Sequence, residues 1–314
     1  MGFEVIRPGF LTLLQDFGRY GQQHLGMASG GPLDEHAFLW ANRLLDNHYN
    51  SATLEITLGQ VQLRAVQATL IAIAGADLDA RINNHPIEPW RSYWIEAGDI
   101  LRFTGARQGV RAYLAVSGGF DAPLQHGSCA TVVREGCGGL YGDGRRLEAG
   151  DLLPSRRQAP LARGPLRQVP PRYVPDYRAP LCLRLMPAYQ YDQFDAAQLE
   201  RFFSQEYQVS PLSDRMGYRL AGPAIKSCLD GIISEGIAYG AVQVPGDGQP
   251  IVLLKDRQTI GGYPKIGCVA SLDAAKLAQR APGAVIRFSL ADSGAVEAER
   301  RVFNRFFGIG TQDC

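Results

Sequence analysis

Lysine is scarce in this chain. Of 32 basic residues only Lys226, Lys255, Lys265 and Lys276 are lysine, and the rest are arginine. Where lysine persists against that bias, a compact and deprotonatable amine is the feature that arginine does not supply. An excess of one charge is missing as well. The 32 basic residues face 31 acidic ones, so no whole-protein field exists to hold nucleic acid or an anionic membrane. No run approaches the ~18 apolar residues that span a bilayer. Residues Met1 to Pro8 contain an acid and a proline where a signal peptide needs a long apolar stretch. The six cysteines form no Cys-x-x-Cys and the five histidines are dispersed, a pattern that predicts reduced cytoplasmic thiols and no metal site. A phosphate-binding G-x-x-x-x-G-K-[ST] loop, a strand-coupled G-x-G-x-x-G, a G-x-S-x-G elbow and H-E-x-x-H are all lacking. Asp16-Phe17-Gly18 mimics a kinase triplet, but no kinase loops surround it.

What is present is enough apolar material, 46 % of 314 residues, for two domains with their own cores. Most of the chain reads as short strands, among them 54–58, 69–74, 100–103, 110–116, 181–185 and 285–288, separated by Asn-, Asp-, Gly- and Pro-rich turns. Helical periodicity is confined to 33–45, 195–203, 271–280 and 296–306, with Ser271 as the expected N-cap of the third. The segment Ser155–Arg178 holds six arginines, five prolines and one acid. It reads as an extended linker rather than a binding arm, because its prolines remove backbone donors and disfavour helix in the residues before them. Domains are therefore expected at 1–154 and 181–314, with a linker at 155–180. Four short segments of the first half recur in order in the second: Asp16 to Tyr20 with Asp214 to Arg219, Gly59 to Leu63 with Gly240 to Val244, Ile71 to Asp77 with Ile251 to Asp256, and Gly98 to Phe103 with Gly283 to Phe288. Their order predicts two similar β-barrel-like domains rather than a solenoid.

Polar residues and glycine are densest between Ser227 and Gly267. Asp256 directly follows the apolar 251–254 strand, Gln258 and Thr259 carry groups suited to an amide or carboxylate, and Lys265 follows the rigid Pro264. Gly261-Gly262 would let a ligand approach the main chain. Asp214-Arg215 would clamp an anion through a bidentate guanidinium or form a structural ion pair. Ser29-Gly30-Gly31 leads into the first helix as an anion site or simply as a start at which Asp34 complements the dipole. Asn42, at the edge of that helix's apolar face, needs a partner.

These segments resemble the family formed by the C-type subunit of bacterial 5-oxoprolinase, also called KipA or allophanate-hydrolase subunit-2-like. The match runs from Leu13-Leu14-Gln15-Asp16-Phe17-Gly18-Arg19 through Ser29-Gly30-Gly31-Pro32-Leu33-Asp34, Ser213-Asp214-Arg215-Met216-Gly217-Tyr218-Arg219 and Gln258-Thr259-Ile260-Gly261-Gly262-Tyr263-Pro264-Lys265. Pro32 stands where the family has Met, and Ile260 where it has a second Thr. The resemblance implies a mainly β fold of two cyclophilin-like β-barrel domains related by duplication, with a few short helices. It implies two further subunits as partners, of A and B type, the latter KipI-like, and ATP-dependent opening of 5-oxoproline to glutamate. ATP enters at the level of the complex. Two other functions remain open: a regulatory KipA-type module countering a kinase inhibitor, and the carboxyltransferase part of a urea carboxylase or allophanate system. The latter would need biotin from another chain, because Met-Lys-Met is absent here. By motif membership and chemical type, Lys265 and Arg215 are expected to stabilise anionic oxygens. Asp256 or Glu235 would accept a proton, and Gln243, Gln258 and Asn42 would bond the amide plane. Thr259, Tyr263 and Asp34 complete the expected substrate contacts.

Overall fold

The computed structural model describes residues 2–156 and 165–310. The chain forms two compact units, Met1–Tyr20 with Ser29–Arg178, and Gly21–Ala28 with Ala179–Cys314. Both are mainly β.

The first unit contains β1 (Phe3–Pro8), β2 (Leu11–Gln15), α1 (Glu35–Arg43), β3 (Thr53–Thr57), β4 (Val61–Ala65), β5 (Thr69–Asp77), β6 (Ala80–Ile82), β7 (His85–Pro86), β8 (Arg91–Ile95), β9 (Ile100–Phe103), β10 (Gln108–Val116) and β11 (Leu152–Leu153). Two sheets result, in the orders β11-β1-β4-β9-β6-β7 and β2-β3-β10-β5-β8. Sequence pattern explains the difference between their strands. β4 buries Val61, Leu63 and Ala65 and turns Arg64 outward, the alternation of a strand with one wet face. In β5, Ile71 to Ala76 is buried without a break, because α1 packs across it. Asp34 starts α1 by accepting the Ala37 N–H at 3.0 Å. Asn83, at φ 55°, and Asn84 turn β6 into β7. Phe3, Leu54, Ile56, Leu63, Ile73, Leu101 and Leu114 lie in the core between the sheets.

The 155–180 stretch, expected as a linker, divides differently. Residues 165–178 count with the first unit. Val169 is fully buried and its N–H donates to Trp90 O, while the buried Tyr177 donates to Asp34 Oδ2 at 2.8 Å. The apolar residues between the prolines give this segment something to pack. Residues 157–164 lie outside the described residues.

The second unit contains β12 (Leu181–Pro187), α2 (Ala196–Ser204), β13 (Tyr207–Val209), β14 (Gly217–Ala221), β15 (Glu235–Gly236), β16 (Ala241–Gln243), β17 (Ile251–Leu253), β18 (Ile260–Gly261), β19 (Lys265–Val269), α3 (Ser271–Leu277), β20 (Val285–Leu290) and α4 (Ser293–Phe307). Seven strands close into a barrel in the order β12-β19-β16-β17-β14-β13-β20, and β15 and β18 form a separate ribbon. β12 points Leu181, Leu183 and Leu185 inward and Cys182 outward. Phe202 of α2 stacks on Phe288 of β20 with centroids 4.4 Å apart. Ala270, not Ser271, occupies the N-cap of α3, and no side chain caps it. Of the four recurring pairs, 59–63 with 240–244 and 98–103 with 283–288 share a turn-then-strand form, whereas 16–20 is loop against the start of β14 and 71–77 is continuous strand against a strand that ends in a turn, and their neighbours differ throughout. β4 pairs with β9, whereas β16 pairs with β17 and β19, and β20 with β12 and β13.

Candidate functional site

The second unit opens a cleft of about 610 Å³ between the end of β12, the 235–241 segment and β19. Its walls are small or apolar: Pro187, Ala188, Tyr189, Gly236, Ala238, Ala241 and Gly267. Gly267 is required by close packing, since a Cβ there would lie 2.4 Å from the Leu185 side chain. Gly236 instead faces open space, with nothing within 4 Å of where a Cβ would stand. Into this apolar frame project Glu235, Lys265 and Cys268.

Lys265 and Glu235 form an ion pair, Nζ to Oε1. The lysine is buried and the carboxylate about one-third exposed. Gln190, in the turn after β12, donates from Nε2 to the same oxygen at 3.0 Å, and its Oε1 accepts the Lys265 N–H at 3.4 Å. The bond from Lys265 holds the Glu235 carboxyl below its usual range; partial burial opposes this and the Gln190 bond reinforces it. Glu235 is therefore ionised at neutral pH. Burial pushes the Cys268 thiol up to about 11, and its Sγ lies 3.1 Å from Tyr239 O.

Gln243 sits opposite Lys265 where β16 meets β19, beside a register shift. It is 1 % exposed, and its Nε2 has no hydrogen-bond partner among the described residues. That nitrogen lies directly beneath Gly261, 2.8 Å from where a Cβ would stand. A buried carboxamide donor left unmatched is rare enough to point to a missing acceptor.

Arg215 and Asp256 make a bidentate pair, Nε to Oδ2 at 2.9 Å and Nη2 to Oδ1 at 2.8 Å, with both residues buried. They do not line the cleft. They are tied to its wall through the neighbouring residues: Arg257 donates to Ile237 O at 3.1 Å, and Lys255 Nζ stands 4.8 Å from the Tyr239 ring centre. Gln258 and Thr259 are half-buried, Tyr263 is exposed, and none of the three makes a side-chain hydrogen bond among the described residues.

Asn42 and Asp34 belong to the first unit and take no part in this cleft. Asn42 donates to Ser51 O at 2.9 Å and accepts from Asn47 at 3.0 Å. Asp34 caps α1 and accepts from Tyr177. Of the anion site at the start of that helix, the Gly31 N–H is bound by Gln15 and the Leu33 N–H by Glu55. These side chains and N–H groups are thus engaged within the unit. Sequence reasoning did not single out Gln190, Cys268, Tyr189 or Tyr239. Lysine scarcity was a usable signal for Lys255, which with Lys265 is one of two lysines buried here.

A family model described as carboxyltransferase domain, subdomain A and B, matches residues 25–290. The chain is 39 % identical over 289 residues to the C-type subunit of 5-oxoprolinase from Escherichia coli (strain K12), covering 91 % of this chain and 90 % of that protein. It is 34 % identical over 301 residues to the protein of the same name from Haemophilus influenzae, covering 92 % of each. The crystal structure of Kluyveromyces lactis urea carboxylase superposes with a TM-score of 0.90 at 28 % identity. That alignment covers 98 % of this chain but only 29 % of the urea carboxylase, so the chain corresponds to under a third of that enzyme.

Proposed function

The chain belongs to the carboxyltransferase family with subdomains A and B, and we propose that it is the C-type subunit of a cytoplasmic 5-oxoprolinase that opens 5-oxo-L-proline to L-glutamate at the expense of ATP. The observation that carries this reading is the ionised Glu235 held on Lys265 in an apolar cleft beside the unmatched Gln243 carboxamide. Names of relatives at 39 % and 34 % identity over most of the chain support it. A lactam is a planar amide with one N–H and one carbonyl. Glu235 accepts the N–H, Lys265 donates to the carbonyl oxygen, and the small-residue walls leave room for the ring. As water adds to the activated carbonyl, Lys265 stabilises the oxygen that gains charge and Glu235 takes the water's proton; the ring C–N bond then breaks and Glu235 returns that proton to the leaving nitrogen, which becomes the amine of glutamate.

Lys265 is the one basic side chain among the residues that line the cleft, and it is already paired with Glu235. The cleft does not suit a triphosphate, and no step here is routed through ATP. ATP belongs to the complex, whose other members are subunits of the A and B types, the latter KipI-like. The urea carboxylase likeness favours one second reading, transfer of a carboxyl group between ureido amides, with biotin carried on another chain. The same pair would then bind a urea-type amide. A KipA-type regulatory role would need no turnover. Co-expression with the A- and B-type subunits, followed by ATP-dependent glutamate release, tests the proposal. Release that disappears in Lys265→Met supports it. An assembled complex that makes no glutamate, or one that carboxylates urea with a biotin carrier, overturns it.

A further inference from the structure

We propose that Gln190 is a positioning residue that fixes the Glu235–Lys265 pair, committing one carboxylate oxygen to the ammonium and leaving the other open to the ligand. The inference rests on the reading of Glu235 as proton acceptor in this cleft. Glu235 Oε1 receives both Lys265 Nζ and Gln190 Nε2, while Oε2 makes no hydrogen bond among the described residues. The other end of the same carboxamide accepts the main-chain N–H of Lys265. One neutral side chain therefore bonds both partners of the ion pair, from a turn 45 residues before Glu235 in sequence. A carboxamide carries a donor and an acceptor on separate atoms without adding charge. Glutamate in its place would face Glu235 with like charge, and an apolar residue would leave the carboxylate free to rotate about its remaining bond.

The groups facing Glu235 limit what else could set its behaviour. Lys265 of β19 is the charged one. Cys268 of β19 and Tyr189 beside Gln190 are the other titratable groups on the cleft wall, and β18 opposes Glu235 with uncharged Gly261. Removing the Gln190 donor weakens the ionised form of Glu235 and raises the pH at which it protonates.

The test uses the full chain with ¹³C-labelled glutamate, the Glu235 carboxyl signal being assigned by its loss in Glu235→Gln. Gln190→Met, which keeps length, is expected to move the titration midpoint up by ~0.5–1 pH unit. Gln190→Glu is expected to move it further in the same direction. In the reconstituted complex, the acid limb of the kcat/KM profile is expected to shift by the same amount, with kcat falling more than KM rises. An unmoved midpoint in both variants, with melting temperature unchanged, overturns the positioning role. A midpoint that moves while the acid limb of the activity stays put upholds Gln190 as positioning and overturns Glu235 as the proton acceptor.

Discussion

Asp256→Asn separates a structural from a catalytic role for the Arg215–Asp256 pair. Both hydrogen bonds are short, 2.9 and 2.8 Å, and the two residues are only 5 % and 6 % exposed. Asparagine preserves shape and one acceptor. Its amide group, however, turns N–H against N–H at one of the two contacts and removes the carboxylate charge from a buried guanidinium. Breaking a buried pair on one side costs about 3–5 kcal/mol, which corresponds to roughly 6–20 °C of melting temperature in a chain of this size. Thermal and urea unfolding of the full chain read the loss directly. Arg215→Met combined with Asp256→Leu is expected to regain most of it, because an apolar pair needs no compensation. If Asp256→Asn melts like the parent and only turnover is lost, the structural reasoning is refuted and Asp256 belongs to the chemistry. A double variant as unstable as the sum of its single substitutions refutes it too.

Gly236→Val fills the cleft from a β-strand position with nothing within 4 Å of its Cβ, so turnover of the assembled complex should fall at least ~10-fold with melting unchanged; unaltered activity would remove the cleft from the site. Cys268, with a thiol pushed up to about 11, should react with iodoacetamide at pH 8 roughly 100-fold more slowly than a free cysteine thiol under the same conditions, as peptide mapping would show. At Asp273, burial works to raise the carboxyl pKa, but bonds from the Arg184 side chain and N–H prevail and hold it below the ordinary 3.8. Its contribution is therefore complete above that value and lost as pH falls through the lowered one, and Asp273→Asn should flatten acid unfolding below about pH 4. Gly75→Ala should cost at least ~2 kcal/mol in urea unfolding, because φ is +94° and a Cβ would sit 2.5 Å from Arg111 O.

The strands and helices were legible because their periodicity is local. β12 alternates, β5 is continuously apolar, and all four expected helices form within a few residues of their expected bounds. Side-chain partnership is not local, and it divided the candidate residues. Asn42 looked like a ligand group because a polar residue sits amid an apolar face, yet the chain turns back within nine residues and supplies Ser51 O. Asp34 is met by the N–H three residues on. Glu235 and Lys265 are 30 residues apart and Arg215 and Asp256 are 41 apart, so only tertiary pairing joins them, through the β15–β18 ribbon for the first and the β14–β17 ladder for the second. Gln190 carried no signal at all, since a glutamine after a strand is ordinary until its two partners are brought to it. Lysine scarcity was the better guide. A buried ammonium must be met by a carboxylate, an aromatic face or a ligand, so a chain that otherwise uses arginine keeps a buried lysine only where such a partner has been built. Lys255 on Tyr239 and Lys265 on Glu235 meet that condition at two points of one segment, 235–239, and it is this segment that walls the cleft.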